Sequence, residues 1–250
     1  MSARETLLRS LRHAVAVAGA SGESRGLLSF GVAPLDAALG GGLRTGLHEI
    51  APQTALHLGA ASGLALALAI RRGGEALWIQ QDFAGLEAGG LYGPGLEHFG
   101  LSMQRLLLLR VPRPLDVLWA MEEALKCRAL GIVVGELGEE IADANLTLTR
   151  RLSLAAQDRA FGLLLRFRPS GAPSAAMTRF AVESATGPPD RFGGLGRTAF
   201  VLSLVKNRRG PTGRWIVQWD QHERAFSPLS LGVAAAAFDR PDRALLRRVG

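Results

Sequence analysis

"HEIAPQTALHLGAASG", residues 48–63, decides how the rest of the chain is read. A short apolar stretch, Leu47 to Ile50, leads into it, and an Ala/Leu-rich helical run, Ser62 to Arg72, leads out. Strand, loop and helix in that order is the layout in which nucleotide-binding proteins carry a phosphate loop. The stretch nevertheless contains no Gly-Lys-Ser or Gly-Lys-Thr. The layout poses a choice between a nucleotide-binding chain with an unusual loop and one that has lost the side chains that would hold a triphosphate.

On the C-terminal side, short apolar runs alternate with helical patterns. "ALWI" (76–79), "LLLLRV" (106–111), "GIVVG" (131–135) and "GLLLRF" (162–167) read as buried parallel strands. Residues 114–128 begin on Pro114 and set Leu115, Leu118, Glu122 and Leu125 at helical spacing, with Glu123 and Lys126 facing out. Residues 145–158 repeat that design, with Asn145 as candidate cap and Leu148, Leu152 and Ala155 on one face. After Arg168 two turn-rich segments, "PSGAPSAA" and "TGPPDRFGGLGR", lie either side of "MTRFAVES". "AFVLSLVK" and "RWIVQW" then flank "NRRGPTG", which predicts a hairpin. The expected fold class is α/β: a mostly parallel β-sheet flanked by helices and ending in antiparallel strands.

Composition bounds the function. The 250 residues, 48% hydrophobic and 20% charged, can bury one sizeable core. Lys126 and Lys206 are the only lysines, so arginine supplies most of the net +7, a balance that favours an anionic partner. With Cys127 as the single cysteine, no disulfide framework or Cys-based zinc site can form within one chain, and Cys127 reads as a half-buried helix residue. His13, His98 and His222 lack metal-site spacing. The N-terminus, with Arg4, Arg9 and Arg12 before "AVAVAGA", faintly resembles a signal peptide, but Leu7, Leu11, Val15 and Ala18 fall on one face of an amphipathic helix. The longest purely apolar run, "LALALAI" (64–70), is far below a membrane span, so a cytoplasmic chain without membrane contact is expected.

"GVAPLDAALGGGLRTGLHEI" (31–50) is similar to the start of the RecA-type ATPase core, through Leu35, Asp36, Gly40 to Leu43, Gly46 and Glu49. The likeness continues through "ALWIQQDFAGLEAGGLYGPGLEHFGL", "LWAMEEALKC", "IVVGEL", "RRLSLAA" and "LVKNRRGPTGRWIVQW". Taken in order, from about Leu28 to Trp219, these motifs resemble the ImuA family, the RecA-like member of the ImuA, ImuB and DnaE2 mutagenesis cassette. The resemblance implies a RecA-like core over residues 28–227, preceded by a helix and linker (1–27) and followed by a basic tail (228–250).

Laid over the RecA pattern, the phosphate-loop glycines fall at Ala51 and Leu56, the lysine at His57 and the hydroxyl residue at Leu58. None of the four can supply what a phosphate loop needs: close backbone approach, a cation on the β and γ phosphates and a magnesium ligand. Gly135 stands where the magnesium-supporting aspartate belongs, and Glu136 comes one residue late, an offset expected to turn it away. Asp82 lies near the water-activating glutamate of the RecA family. His48 and Glu49 are expected to play structural hydrogen-bonding roles, and "GGG" at 40–42 to serve a turn. No catalytic residue, metal site or cofactor is expected.

From Val205 to Gly250, nine basic side chains face four acidic ones. Lys206, Asn207 and Arg208 match, residue by residue, a segment with which RecA relatives reach a neighbouring protomer's nucleotide. Arg209, Arg214, Trp215, Arg243, Arg247 and Arg248 join them as candidates for a RecA interface or for weak binding of single-stranded DNA, with Trp215 and Trp219 as stacking partners. The resemblance implies a non-catalytic adaptor with ImuB and RecA as partners and DnaE2 reached indirectly. The competing readings are a cell-division inhibitor resembling SulA, which would bind FtsZ, and an active RecA-like ATPase.

Overall fold

The computed structural model describes residues 9, 26–82, 85, 89–138, 145–169, 171–190 and 192–229. The N-terminal amphipathic helix and the tail residues Arg243, Arg247 and Arg248 lie outside the described residues.

In chain order the described elements are α1 (Ala33–Ala38), β1 (Gly46–Pro52), α2 (Leu58–Arg72), β2 (Glu75–Gln81), α3 (Gly93–Phe99), β3 (Leu106–Val111), α4 (Pro114–Leu125), β4 (Leu130–Leu137), α5 (Asn145–Ala156), β5 (Phe161–Arg166), β6 (Thr178–Ala185), β7 (Ala199–Asn207), β8 (Gly213–Asp220) and β9 (Ala225–Pro228). The strands form one sheet in the order β3-β2-β4-β5-β1-β6-β7-β8-β9. Pairing is parallel from β3 to β6 and antiparallel from β6 to β9. This is the expected RecA-like arrangement. "MTRFAVES", which reads only as a segment between turns, forms most of β6 and extends the parallel pairing beyond β1 by a further strand.

Helices cover both faces of the sheet, so its central strands have no polar face. On one face α2 presents Leu64, Ala65, Leu66, Ala67, Leu68 and Ala69, all buried, and alanine lets it sit close to β1, β4, β5 and β6. On the other, α4 buries Val117, Leu118, Met121, Ala124 and Leu125, and α5 buries Leu152 and Ala156. The expected α5 face holds, with Leu148 and Ala155 packed against this second core. The α4 face differs: Leu115 is 54% exposed, because it lies roughly 120° round the helix from the centre of the buried stripe. Cys127 is half-buried, just past the end of α4.

The turn before β1 needs its glycines. Gly40, Gly41 and Gly42 have φ of 70°, 104° and 137°, a region open to glycine. At Gly42 a Cβ would meet the Leu28 carbonyl oxygen at 2.7 Å. Asp36 fixes the other side of the turn by accepting hydrogen bonds from the Ser29 hydroxyl at 2.7 Å and from the Phe30 and Gly31 N–H groups at 2.8 and 2.9 Å.

Candidate functional site

Two regions at opposite ends of the parallel strands hold the candidate residues. At the C-terminal end, β1 stops at Pro52, which has no N–H to offer. The Gln53 N–H donates to the Val182 carbonyl at 2.8 Å, the His57 N–H to Thr54 at 3.0 Å, and the Leu58 N–H to Ala55. A 3-10 turn, Ala55–His57, thus occupies the position of the phosphate loop and runs directly into α2. Ala51 is buried, Leu56 is 93% exposed and Leu58 begins the helix. His57 Nδ1 accepts from the Ser184 hydroxyl at 2.9 Å and the Ser184 N–H at 3.2 Å, which latches the turn to β6.

The one-residue offset in β4 has the opposite geometric consequence from the one expected. A Cβ on Gly135 would point at Met121 Sδ, 2.9 Å away, and at Val117, beneath α4. Glu136 instead faces α2, because alternation puts it on the other side of the strand. It accepts from Trp78 Nε1 at 2.7 Å and Gln80 Nε2 at 2.9 Å, and burial raises its pKa while both hydrogen bonds oppose the rise. Glu136, Trp78 and Gln80 line a pocket of about 500 Å³ together with Leu58, Gly59 and Ser62 of α2. Asp82 is exposed just past β2.

Between the two ends, β1 carries two buried polar residues with structural partners, as expected. Glu49 accepts from Arg166 Nη2 at 3.0 Å and from Arg179 Nε at 2.8 Å. His48 bonds the Thr178 hydroxyl through Nδ1 and the Arg44 carbonyl through Nε2, each at 2.8 Å. Only a protonated Nε2 can donate to that carbonyl, so the ring is the Nε2–H tautomer, and burial lowers its pKa to about 4.

At the N-terminal end of β1 the end of the antiparallel β7 and the turn after it bring Asn207, Arg208 and Arg209 beside Arg44, with Lys206 near Arg179 and Arg208. Lys206 is committed internally: Nζ donates to the Ser174 carbonyl at 2.5 Å, and its pKa is lowered first by burial and then by Arg208. Asn207 Nδ2 donates to the carbonyls of Ala38 at 2.9 Å and Pro211 at 3.0 Å, shaping the turn. Arg208, Arg209 and Arg44 are exposed around a pocket of about 520 Å³ whose lining includes one carboxylate, Asp158.

The hairpin places its other candidates elsewhere. Arg214 pairs with Glu183 at 3.1 Å. Trp215 packs against the first core, and a Cβ on Gly213 would lie 2.5 Å from its ring. Trp219 is 2% exposed, with Phe226 at 4.8 Å and Phe99 at 5.8 Å between ring centroids. Burial in the first core therefore takes Trp219 out of the expected stacking pair, while Trp215 is half-buried. Among the described residues no group of three or more His, Cys, Asp or Glu could hold a metal ion, and no helix is long and apolar enough to cross a membrane.

Sequence reading missed Arg44, Gln80, Arg166 and Arg179. The Arg166 signal was present: an arginine inside "GLLLRF", a run otherwise fit for a fully buried strand, demands a buried carboxylate.

No protein-family model matches the chain. Protein ImuA of Caulobacter vibrioides strain NA1000 / CB15N is 31% identical over 248 residues, covering 90% of this chain and 96% of that protein. Protein ImuA of strain ATCC 19089 / CIP 103742 / CB 15 matches to the same extent. At that identity and coverage, and with the RecA-like sheet that its motifs imply, the chain belongs to the ImuA family.

Proposed function

We propose that the protein is a non-catalytic adaptor in SOS-induced translesion synthesis and mutagenesis, acting in the cytoplasm to bridge RecA and the ImuB and DnaE2 polymerase assembly. The carrying observation is the turn at residues 52–58. Its Gln53, His57 and Leu58 N–H groups are bonded to carbonyls of the chain itself, and no Lys, Ser or Thr stands at His57 or Leu58. A phosphate loop works by aiming free N–H groups and a lysine at phosphates. A chain that spends those groups internally is suited to presenting a RecA-shaped surface rather than turning over ATP.

In this reading residues 28–227 are the docking body. Arg208 and Arg209, with Arg44, are the exposed cations offered to RecA, while the basic tail over 228–250 adds weak, salt-sensitive contact with single-stranded DNA. The test combines calorimetric titration with Mg-ATP and capture against purified ImuB, RecA and FtsZ. Capture of ImuB and RecA without ATP binding is expected. A micromolar ATP site, or capture of FtsZ alone, overturns the adaptor reading.

A further inference from the structure

The pocket beside α2 has a chemistry that the adaptor role does not use. Glu136 is 3% exposed and has no ion-pair partner among the described residues. Gln80 is 2% exposed; its amide nitrogen serves Glu136, and its carboxamide oxygen has no hydrogen-bond partner among the described residues. The donor to Glu136 fixes which end of the amide is the oxygen, so the pocket holds an orphaned acceptor beside a buried carboxylate. Trp78, Tyr92, Phe99 and Phe167 supply aromatic surface around them, and among the described residues no lysine or arginine lines the space.

These features select the charge of the occupant. The N-terminus of α2 also borders the pocket and carries roughly half a positive charge, whereas an ionised Glu136 carries a full negative one. The carboxylate outweighs the helix end, and a phosphate or other anion is disfavoured. A compact ammonium would satisfy Glu136 but would use neither the aromatic walls nor the second acceptor well. A guanidinium uses all three, since its flat face stacks on aromatic rings while its edge donates several hydrogen bonds.

We propose that this pocket is the receptor for an arginine side chain presented by a partner polypeptide. The guanidinium donates to Glu136 and to the free oxygen of Gln80, and lies against the aromatic wall. It supplies the counter-charge that burial denies Glu136 and fills the acceptor, Gln80 Oε1, that the described residues of the pocket leave open.

Indole N–H resonances of the full-length protein, with Trp78 assigned through Trp78→Phe, read the site directly because Trp78 donates to Glu136. The probes are blocked Gly-Arg-Gly, its citrulline counterpart of equal shape but no charge, and Mg-ATP. The arginine peptide is expected to shift the Trp78 signal saturably and to bind about tenfold more tightly than the citrulline peptide, leaving Trp119 and Trp215 in place. Glu136→Gln should erase that preference. Gly59→Leu, where a Cβ meets open space at the pocket wall, should abolish the response with the fold intact. Equal response to both peptides, a response that survives Gly59→Leu, or a Trp78 shift with Mg-ATP and none with the arginine peptide overturns the assignment.

Discussion

Glu49 on β1 receives Arg166 of β5 at 3.0 Å, and its second oxygen receives Arg179 of β6 at 2.8 Å, so one carboxylate joins three adjacent strands. The Glu49 side chain is fully buried, and the two arginine side chains are 4% and 12% exposed. Two cations thus share one anion inside the sheet.

The cost of breaking this cluster depends on which member is removed. Glu49→Gln removes the buried carboxylate that both guanidiniums share and should cost about 3–5 kcal/mol. Arg166→Met leaves the balanced Glu49–Arg179 pair and should cost less. Urea unfolding of both variants checks the order, and a Glu49→Gln midpoint equal to the parent's would refute it.

His48 gives the fold a defined acid sensitivity. Its folded pKa of about 4 lies below the ordinary 6.5, so the unfolded chain binds the extra proton between those values. The neutral ring therefore contributes stability that is fully present above pH 6.5 and is lost as pH falls towards 4. The gap corresponds to about 3 kcal/mol. Comparison of unfolding free energy for the parent and His48→Gln between pH 4 and 7 isolates this share. The variant should show the shallower decline, and parallel curves would assign the acid sensitivity to other groups.

Reinstating the missing aspartate should damage the fold. Gly135→Asp would place a carboxylate against the thioether of Met121 and a methyl of Val117, in the apolar core beneath α4. The expected loss is at least several kcal/mol, since a charge buried without a partner is among the costliest changes a core can suffer. Thermal unfolding with and without magnesium tests this. Stabilisation of the variant by magnesium would show that the site had been rebuilt.

The backbone plan was legible because long apolar runs and helical stripes report burial directly. β4, β5, α5 and the β7–β8 hairpin all follow their patterns. β6 was harder to read because its alternating "TRFAVESA" is short and sits between turn-rich segments. Its arginine looks like an outward-facing charge until β1 supplies Glu49. Glu136 shows a different limit: alternation fixes that it opposes Gly135, but which of the two faces α2 depends on the helix covering each side. Trp215 and Trp219 show a third, since a two-residue period is shared by a binding face and a core face. Pairings separated by 117 and 130 residues, those of Glu49 with Arg166 and Arg179, leave no local signal.

The last prediction concerns the basic end of the sheet and rests on the proposed docking to RecA. Resemblance assigns Lys206 and Arg208 to contact with a triphosphate held by a neighbouring RecA protomer, but the two side chains stand differently. Lys206 donates to the Ser174 carbonyl, whereas Arg208 is exposed beside Arg44 and Arg209. A head-to-tail contact propagates only if both unlike faces work. A chain that keeps the basic face and lacks the ATP-holding one would join one end of an ATP-bound filament without extending it. A charge-assisted contact is worth about 1.5–3 kcal/mol, so Lys206→Ala/Arg208→Ala should bind such filaments at least about tenfold more weakly. Arg208→Ala alone should account for most of that loss, because the Lys206 ammonium would first have to leave Ser174. Binding is measured for the parent and both variants against RecA filaments formed with an ATP analogue or with ADP. Equal affinity across all proteins and both nucleotides would place the RecA contact on another surface.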